Sequence, residues 1–277
     1  MKKLVVTALF AASVFAVRAQ AIKTPAASTA QSVKQEFGLS SVELSYSRPN
    51  AKGRTIFGDL VPYNAVWRTG ANSATTLTFS DEVMIGGKKV PAGKYGLLTI
   101  PNTGSWTIIL TRQTDVTSPA AYKQDQDVVR ITATPQDMPF DTETFTMQFM
   151  NVKANSMDLL ILWERTAVFL PISMDIDSKV MSQIENAMNK DNKPYFQAAM
   201  YYLDNGKDLN KANEWLDKAV QQTPNAYWVW HQKANCLARQ GKKQEAIAAA
   251  NKSIELAKAG KNNDYVALNE KLLSTLK

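Results

Sequence analysis

Cysteine and histidine are almost missing from this chain, with one of each in 277 residues. A single thiol cannot close an intrachain disulfide. The pair cannot make a zinc finger, an iron–sulfur cluster or a triad that needs a second imidazole. Metal chemistry is left to carboxylates alone. Glycine (12) and proline (11) are too sparse for a collagen-like or low-complexity chain. Hydrophobic residues at 45% and charged residues at 21% exclude disorder as the general state. Long apolar runs are also lacking, apart from one at the N-terminus.

That run reads as a secretory signal. Lys2 and Lys3 precede an apolar stretch from Leu4 to Val17, too short to span a bilayer. Val17-Arg18-Ala19 supplies small residues at −3 and −1 for a cut before Gln20. The expectation is a signal peptide over 1–19 and a periplasmic or secreted protein with no membrane span after its removal. Loss of Lys2, Lys3 and Arg18 leaves 29 Lys+Arg against 25 Asp+Glu, a net charge of +4. A mild excess without a clustered stripe argues against nucleic acid as a partner.

Length sets a prior of two domains, and hydrophobic rhythm places the boundary. Residues 20–36 are rich in Ala, Ser, Thr and Gln and read as a flexible leader. From there to residue 174 the period is two. Val42, Leu44 and Tyr46 alternate with polar residues, as do Trp106, Ile108 and Leu110, and then Phe145, Met147 and Phe149. Leu159–Trp163 is apolar on both faces, as a central strand requires. Gly86-Gly87, Pro91–Gly93 and Pro101–Gly104 punctuate the runs. Eight or nine short strands without helical period predict an all-β antiparallel sandwich or barrel over 37–174.

Over 175–277 the period becomes helical, and the chain as a whole is α+β. Val180, Ile184 and Met188 form a stripe, with Asp177 or Ser178 available as N-cap. Ala212, Leu216, Ala219 and Pro224 recur 34 residues on as Ala246, Ala250, Ser253 and Lys258. Trp230, Ala234, Leu237 and Gly241 precede the second set. This is the tetratricopeptide pattern, an all-α stack of helical hairpins. Ser178–Asn189 and Asn262–Leu276 act as caps, giving about six helices.

The segment Tyr46-Ser-Arg-Pro-Asn-Ala-Lys-Gly-Arg-Thr-Ile-Phe-Gly58 is followed by Leu60-Val-Pro-Tyr63 and Trp67-Arg-Thr-Gly-Ala-Asn72. Ala74-Thr-Thr76, Gly87-Lys-Lys89 and Pro91-Ala-Gly-Lys-Tyr-Gly96 come next. In these motifs the front half closely resembles the bacterial domain-of-unknown-function family numbered 2911, from about Ser41 to Ile172. The resemblance implies an exported β-rich domain, in some members with helical repeats behind it. It supplies no catalytic residues, so none is carried over.

Arg48, Lys52, Arg54 and Arg68 stand close together in sequence with one neighbouring acid, Asp59. Arg48 shares the parity of Val42, Leu44 and Tyr46, which aims it at the apolar face. Two readings are open. In one, Arg48, Arg54, Arg68 and Asn72 form a pocket for a small anion or sugar, with Tyr63 or Trp67 as a wall. In the other, the arginines bridge strands to Asp59, Glu43 and backbone carbonyls. Asp125/Asp127 and Asp175/Asp177 are too few oxygen ligands for calcium and read as loop charge and helix capping. Glu43, Asp59 and Glu164 have no spacing that would make them a glycosidase pair. Gly86-Gly87 with Gly93-Lys94 lacks the pattern of a phosphate loop.

In the helical part, Tyr227, Trp228 and His231 are candidates for a partner groove. Cys236 reads as an inert small hydrophobe inside a helix. No cofactor or metal site emerges. The favoured expectation is an exported binding module, with a β domain for a small anionic or sugar ligand and repeats that contact a protein. A hydrolase of carbohydrate or anionic substrates and a purely structural envelope scaffold are the alternatives, and whether there is catalysis is left open.

Overall fold

A computed structural model describes residues 24–276. The signal peptide expected over 1–19 lies outside the described residues. The chain divides into two compact units at Met174/Asp175.

The first unit is two antiparallel sheets. Its strands are β1 (Thr29–Phe37), β2 (Ser40–Arg48), β3 (Thr76–Phe79), β4 (Val83–Ile85), β5 (Lys88–Val90), β6 (Gly93–Ile100), β7 (Trp106–Thr111), β8 (Asp127–Ala133), β9 (Gln136–Met150) and β10 (Ser156–Ser173). One sheet runs β1-β2-β3-β6-β7-β8 and the other β5-β4-β10-β9. Sandwich is therefore the topology. β10 lies between β4 and β9, and Leu159–Trp163 within it is buried throughout. Gly86 and Gly87 have φ of 57° and 75°, the positive values a two-residue hairpin turn needs between β4 and β5.

The leader expected over 20–36 is corrected by β1. Thr29–Phe37 pairs residue for residue with β2, from Thr29↔Arg48 to Phe37↔Ser40. No alternation of apolar residues betrays it, because its inward positions include Gln31 and Gln35. Backbone pairing and two side-chain bonds hold it instead, one of them from Ser32 Oγ to Ser45 Oγ at 3.2 Å. The Tyr46 hydroxyl donates to Gln31 Oε1 at 2.8 Å.

Between β2 and β3 the chain runs through Pro49–Thr75 without a regular element. A loop this long inside a compact domain is ordered only if it brings its own core. This one buries Ile56, Phe57 and Val61 and packs Trp67 into an aromatic cluster. Trp67 stacks on Trp163 at 6.0 Å and meets Phe145 edge-on at 5.2 Å, while Phe57 meets Trp106 at 4.9 Å. Each such pair contributes about 0.5–1.5 kcal/mol beyond burial. Backbone bonds stitch both ends of the loop to the sheets. Ala51 N donates to Glu143 O and Phe145 N to Pro49 O, both at 2.8 Å. Trp67 and Thr99 exchange N–H···O bonds of 2.8 and 2.9 Å.

The second unit is six helices: α1 (Asp177–Met188), α2 (Tyr195–Asp204), α3 (Leu209–Gln222), α4 (Tyr227–Arg239), α5 (Lys243–Ala259) and α6 (Asn263–Thr275). Ala212, Ala219, Ala234, Ala246 and Ala250 are buried, and these small side chains let paired helices close up. Asp208 caps α3 by accepting from Asn210 N, and Asn262 caps α6 by accepting from Tyr265 N. The expectation that Asp177 or Ser178 caps α1 does not hold. Ile176 is the cap residue, and Asp177 instead ties α1 to the next hairpin. It accepts from the Tyr201 hydroxyl at 2.8 Å and pairs with Lys207 at 2.7 Å.

Candidate functional site

The long loop and the β7–β8 connection enclose a cavity of about 460 Å3 at one end of the sandwich. Lys52, Arg54, Trp67 and Arg68 come from the loop, Val116–Pro119 from the connection and Trp163 from β10. No Asp, Glu, His or Cys is among its lining residues.

Arg68 is the cation with a buried donor left over. Its Nη1 donates to the Thr117 carbonyl, while its Nε is buried with no partner. An unpaired buried donor costs about 1–3 kcal/mol. Arg54 is better supplied, with Nε on Ala51 O at 2.9 Å and Nη2 on Asn50 O at 2.7 Å. It also faces a second, shallower cavity that holds Asp141, Glu143 and Glu164. Those carboxylates are partly used by the loop, since Glu143 Oε1 accepts from Lys52 N and Glu164 Oε1 from Ile56 N. No ion pair to Lys52, Arg54 or Arg68 occurs among the described residues.

The residue after Arg68 is strained. Thr69 is β-branched and fully buried, yet has φ of 54°. A non-glycine residue there costs on the order of 1–3 kcal/mol and persists only when its surroundings over-determine it. They do so here. Thr69 O accepts from Thr75 Oγ1 at 2.6 Å, and its hydroxyl meets Thr99 Oγ1 at 3.1 Å. Lys52, Asn64 and Asn72 in the same loop also have positive φ. Outliers of this kind gather at ligand clamps more than in inert loops.

The opposite wall is held by a three-residue clamp. The Tyr122 hydroxyl donates to Asp127 Oδ2 at 2.6 Å, and Arg130 Nη1 donates to both, at 2.6 and 2.8 Å. Burial, then the adjacent Asp127 carboxylate, pushes the Tyr122 phenol up to about 12. Gln113 fixes the same connection through Ala121 O and Lys123 N.

Of the six residues expected to form a pocket, Arg54, Trp67 and Arg68 line this cavity. Arg48 does not. It spans the two sheets, donating from Nε to Phe145 O at 3.2 Å and from Nη2 to Thr146 Oγ1 at 2.9 Å, as the strand-bridging reading held. Tyr63 is 37% exposed and covers Gly58 instead of walling the cavity. Asn72 is exposed beside the lining residue Ala71, with Nδ2 on Ser28 O at 3.1 Å. Sequence reasoning missed Lys52 as a lining residue, Trp163 and the Val116–Pro119 wall. The last two lie more than forty positions from Arg68, and only sheet topology brings them to it.

In the helical unit the expected groove residues part company. Trp228 is 41% exposed beside Lys193, Pro194 and Phe196 in a shallow hollow. Tyr227 is half-buried against Tyr265. His231, expected on a groove, is only 8% exposed. Its Nδ1 meets Asn269 Oδ1 at 2.9 Å, and Asn235 Nδ2 donates to its Nε2 at 3.0 Å. Asn269 Nδ2 donates to Ser253 Oγ at 2.8 Å, which donates to Tyr227 O at 2.7 Å. The imidazole is thus the centre of a buried polar network joining α4, α5 and α6. Burial raises the pKa of Cys236, whose thiol points at Leu209 O. Among the described residues no group of three His, Cys, Asp or Glu side chains is placed to hold a metal ion, and no helix is long and apolar enough to cross a membrane.

No curated protein matches the chain. A tetratricopeptide repeat model matches residues 215–248, across α3, α4 and the start of α5. Repeats of this architecture are a protein-contact framework, which makes the chain an interaction module of open specificity. The model of a second family matches residues 28–172, which takes in β1 and all but the last residue of β10. That span is more than half of the sequence, and this chain belongs to the family described as protein of unknown function (DUF2911).

Proposed function

We propose that the protein is an exported binding module whose β unit takes a small anionic ligand and whose helical repeats contact another protein. The observation that carries the first part is a cavity lined by Lys52, Arg54 and Arg68 with no carboxylate among its lining residues. Lys52 is exposed to solvent and Arg54 has Asp141, Glu143 and Glu164 beside it, so Arg68 is the cation that an anion in this space would complement most. The strained Thr69 and the bonded wall opposite support the same reading, because a ligand clamp needs rigid sides. Binding is favoured over turnover because the lining holds no imidazole, thiol or carboxylate to serve as general base. The repeat match and the exposed Trp228 beside Phe196 support the second part. Export is supported by the N-terminal charge, apolar run and small-residue cleavage pattern.

The decisive experiment is a thermal-shift screen of the full chain against carboxylates, phosphates and neutral sugars, repeated with Arg68→Met. Anions that raise the melting temperature of the wild type, but not of Arg68→Met, support the reading. Equal shifts in both chains, or none with any anion, refute it.

A further inference from the structure

The same cavity carries information about the body of its ligand as well as its charge. Its apolar walls are Leu60, Val61, Val66, Val116, Trp67 and Trp163. The two indole N–H groups are already spent, Trp67 Nε1 on Gly70 O and Trp163 Nε1 on Glu143 O, both at 3.1 Å. The indoles therefore offer the cavity carbon alone. Asn50, the one amide in the lining, has its Oδ1 occupied by Thr144 Oγ1 at 2.7 Å. A sugar needs acceptors as well as donors around its ring, because each hydroxyl is both. With no carboxylate in the lining, the side-chain acceptors open to a sugar are the Ser28, Thr117 and Ser118 hydroxyls and the second lone pair of Asn50 Oδ1, fewer than the several hydroxyls of a sugar ring require. Inorganic phosphate fits no better. A lone phosphate is small beside a cavity of about 460 Å3 and would leave most of its apolar walls uncovered.

On the guanidinium of Arg68, Nη1 is committed to Thr117 O. The remaining Nε–Nη2 edge carries two parallel N–H bonds, the side-on fork that matches the two oxygens of a carboxylate. Nε is closed to solvent and unpaired, so a ligand reaches it only if the side chain turns toward the cavity, giving up the Nη1 bond to Thr117 O for a two-bonded carboxylate.

We propose that the ligand is an amphipathic carboxylate: an aromatic or aliphatic body among the valines and indoles, with its carboxylate on the Nε–Nη2 edge of Arg68. This rests on the anion-binding reading of the cavity and narrows it to one chemical class. It places a carboxylate ahead of the sugar that the sequence left open.

The test uses the full chain and four probes: 4-phenylbutyrate, the neutral alcohol 4-phenylbutanol, glucuronate and inorganic phosphate. Binding is read by calorimetry and by tryptophan fluorescence. The expected result is saturable binding of phenylbutyrate, at least tenfold weaker binding of the alcohol, and no saturation by glucuronate or phosphate. Arg68→Met weakens phenylbutyrate at least tenfold while leaving the alcohol unchanged. Should that variant fail to fold by near-ultraviolet circular dichroism, Lys52→Gln, at an exposed position, takes its place with an expected loss of a few-fold. Glucuronate or phosphate binding more tightly than phenylbutyrate overturns the amphipathic class but leaves an anion site. Alcohol and acid binding equally overturns the role of Arg68. No binding of any anion overturns both this proposal and the reading beneath it.

Discussion

Gly96 connects the packing of the β unit to the wall of the cavity. It lies in β6, paired with Thr76 on one side and Thr111 on the other. Its backbone needs no positive φ, so conformational freedom is not why glycine is there. The reason is space: a Cβ at this position would lie 2.0 Å from the Gln113 carbonyl oxygen. Contacts under 3.0 Å are not sustained, so the carbonyl would have to retreat by about 1 Å. Gln113 is poorly able to do so. Its side chain is bonded to Ala121 O at 2.9 Å and to Lys123 N at 2.7 Å. Overpacking costs about 1–3 kcal/mol, and a carbonyl whose residue is tethered twice through its side chain belongs at the upper end. At about 2–4 °C per kcal/mol for a unit of this size, Gly96→Ala should lower the melting temperature by roughly 6–12 °C. Gly104→Ala is the control, since nothing lies within 4 Å of its added carbon. It should be neutral or stabilise by about 0.4–1 kcal/mol. The assay is thermal unfolding followed by the sheet signal in circular dichroism. A Gly96→Ala chain melting within about 2 °C of the wild type would refute the steric reasoning.

Other perturbations test separate parts of the molecule. Asn269→Leu strands His231 Nδ1 and removes the donor to Ser253 Oγ, which keeps its bond to Tyr227 O, and should destabilise the helical unit by about 1–3 kcal/mol in urea unfolding; an unchanged midpoint would mean the network is dispensable. Tyr46→Phe removes the acceptor of Met147 N and the donor to Gln31, and should cost about 1–3 kcal/mol in the β unit. Lys207 and Tyr201 hold the Asp177 carboxyl below its usual range, so its contribution is present above about pH 4 and is lost as pH falls through the lower folded value. Asp177→Asn should therefore flatten the acid limb of helical unfolding, and an unaltered limb would contradict the assignment. The Tyr122 phenol, raised to about 12, keeps its clamp intact below about pH 10 and loses it as pH rises towards 12. Tyr122→Phe should delete one late phenolate from the ultraviolet titration, and no change in the late class would count against the clamp.

Much of the fold was legible because burial imposes a rhythm. Leu159–Trp163 reads as a strand buried on both faces, and it is buried throughout, although Leu159–Leu162 pair with β9 alone and β4 joins β10 only at Ile172 and Ser173. Ala212, Ala246 and their companions read as helix contacts because only small side chains let helices close up, and all are buried. β1 escaped because glutamines alternate with Val33 and Phe37 at its inward positions, which breaks the apolar rhythm, and pairing to β2 along its whole length holds it. Asp177 was misassigned for a related reason. A carboxylate at a helix start has a local use as cap and a tertiary use as hub, and local sequence does not show Tyr201 and Lys207 arriving from the next hairpin.

The candidate site shows where local reasoning stops. Strand parity did bring Arg48 to the interior edge, but parity does not say which acceptors wait there. Phe145 O and Thr146 Oγ1, almost a hundred positions away, take its donors and make it a tie between sheets. Arg54 and Arg68 were counted against one acid, Asp59, because it is the one nearby in sequence. Folding places Asp141, Glu143 and Glu164 beside Arg54 and leaves Arg68 with Thr117 O alone. Three arginines alike in sequence thus have three different electrostatic positions: tied to the opposite sheet, shared between two cavities, and short of a partner. Only the last retains an unpaired donor that is closed to solvent, beside a backbone held in a costly conformation at Thr69. A structural tie has no reason to keep both a strained backbone and an unmet N–H, whereas a binding residue keeps them because the ligand supplies what the protein leaves out.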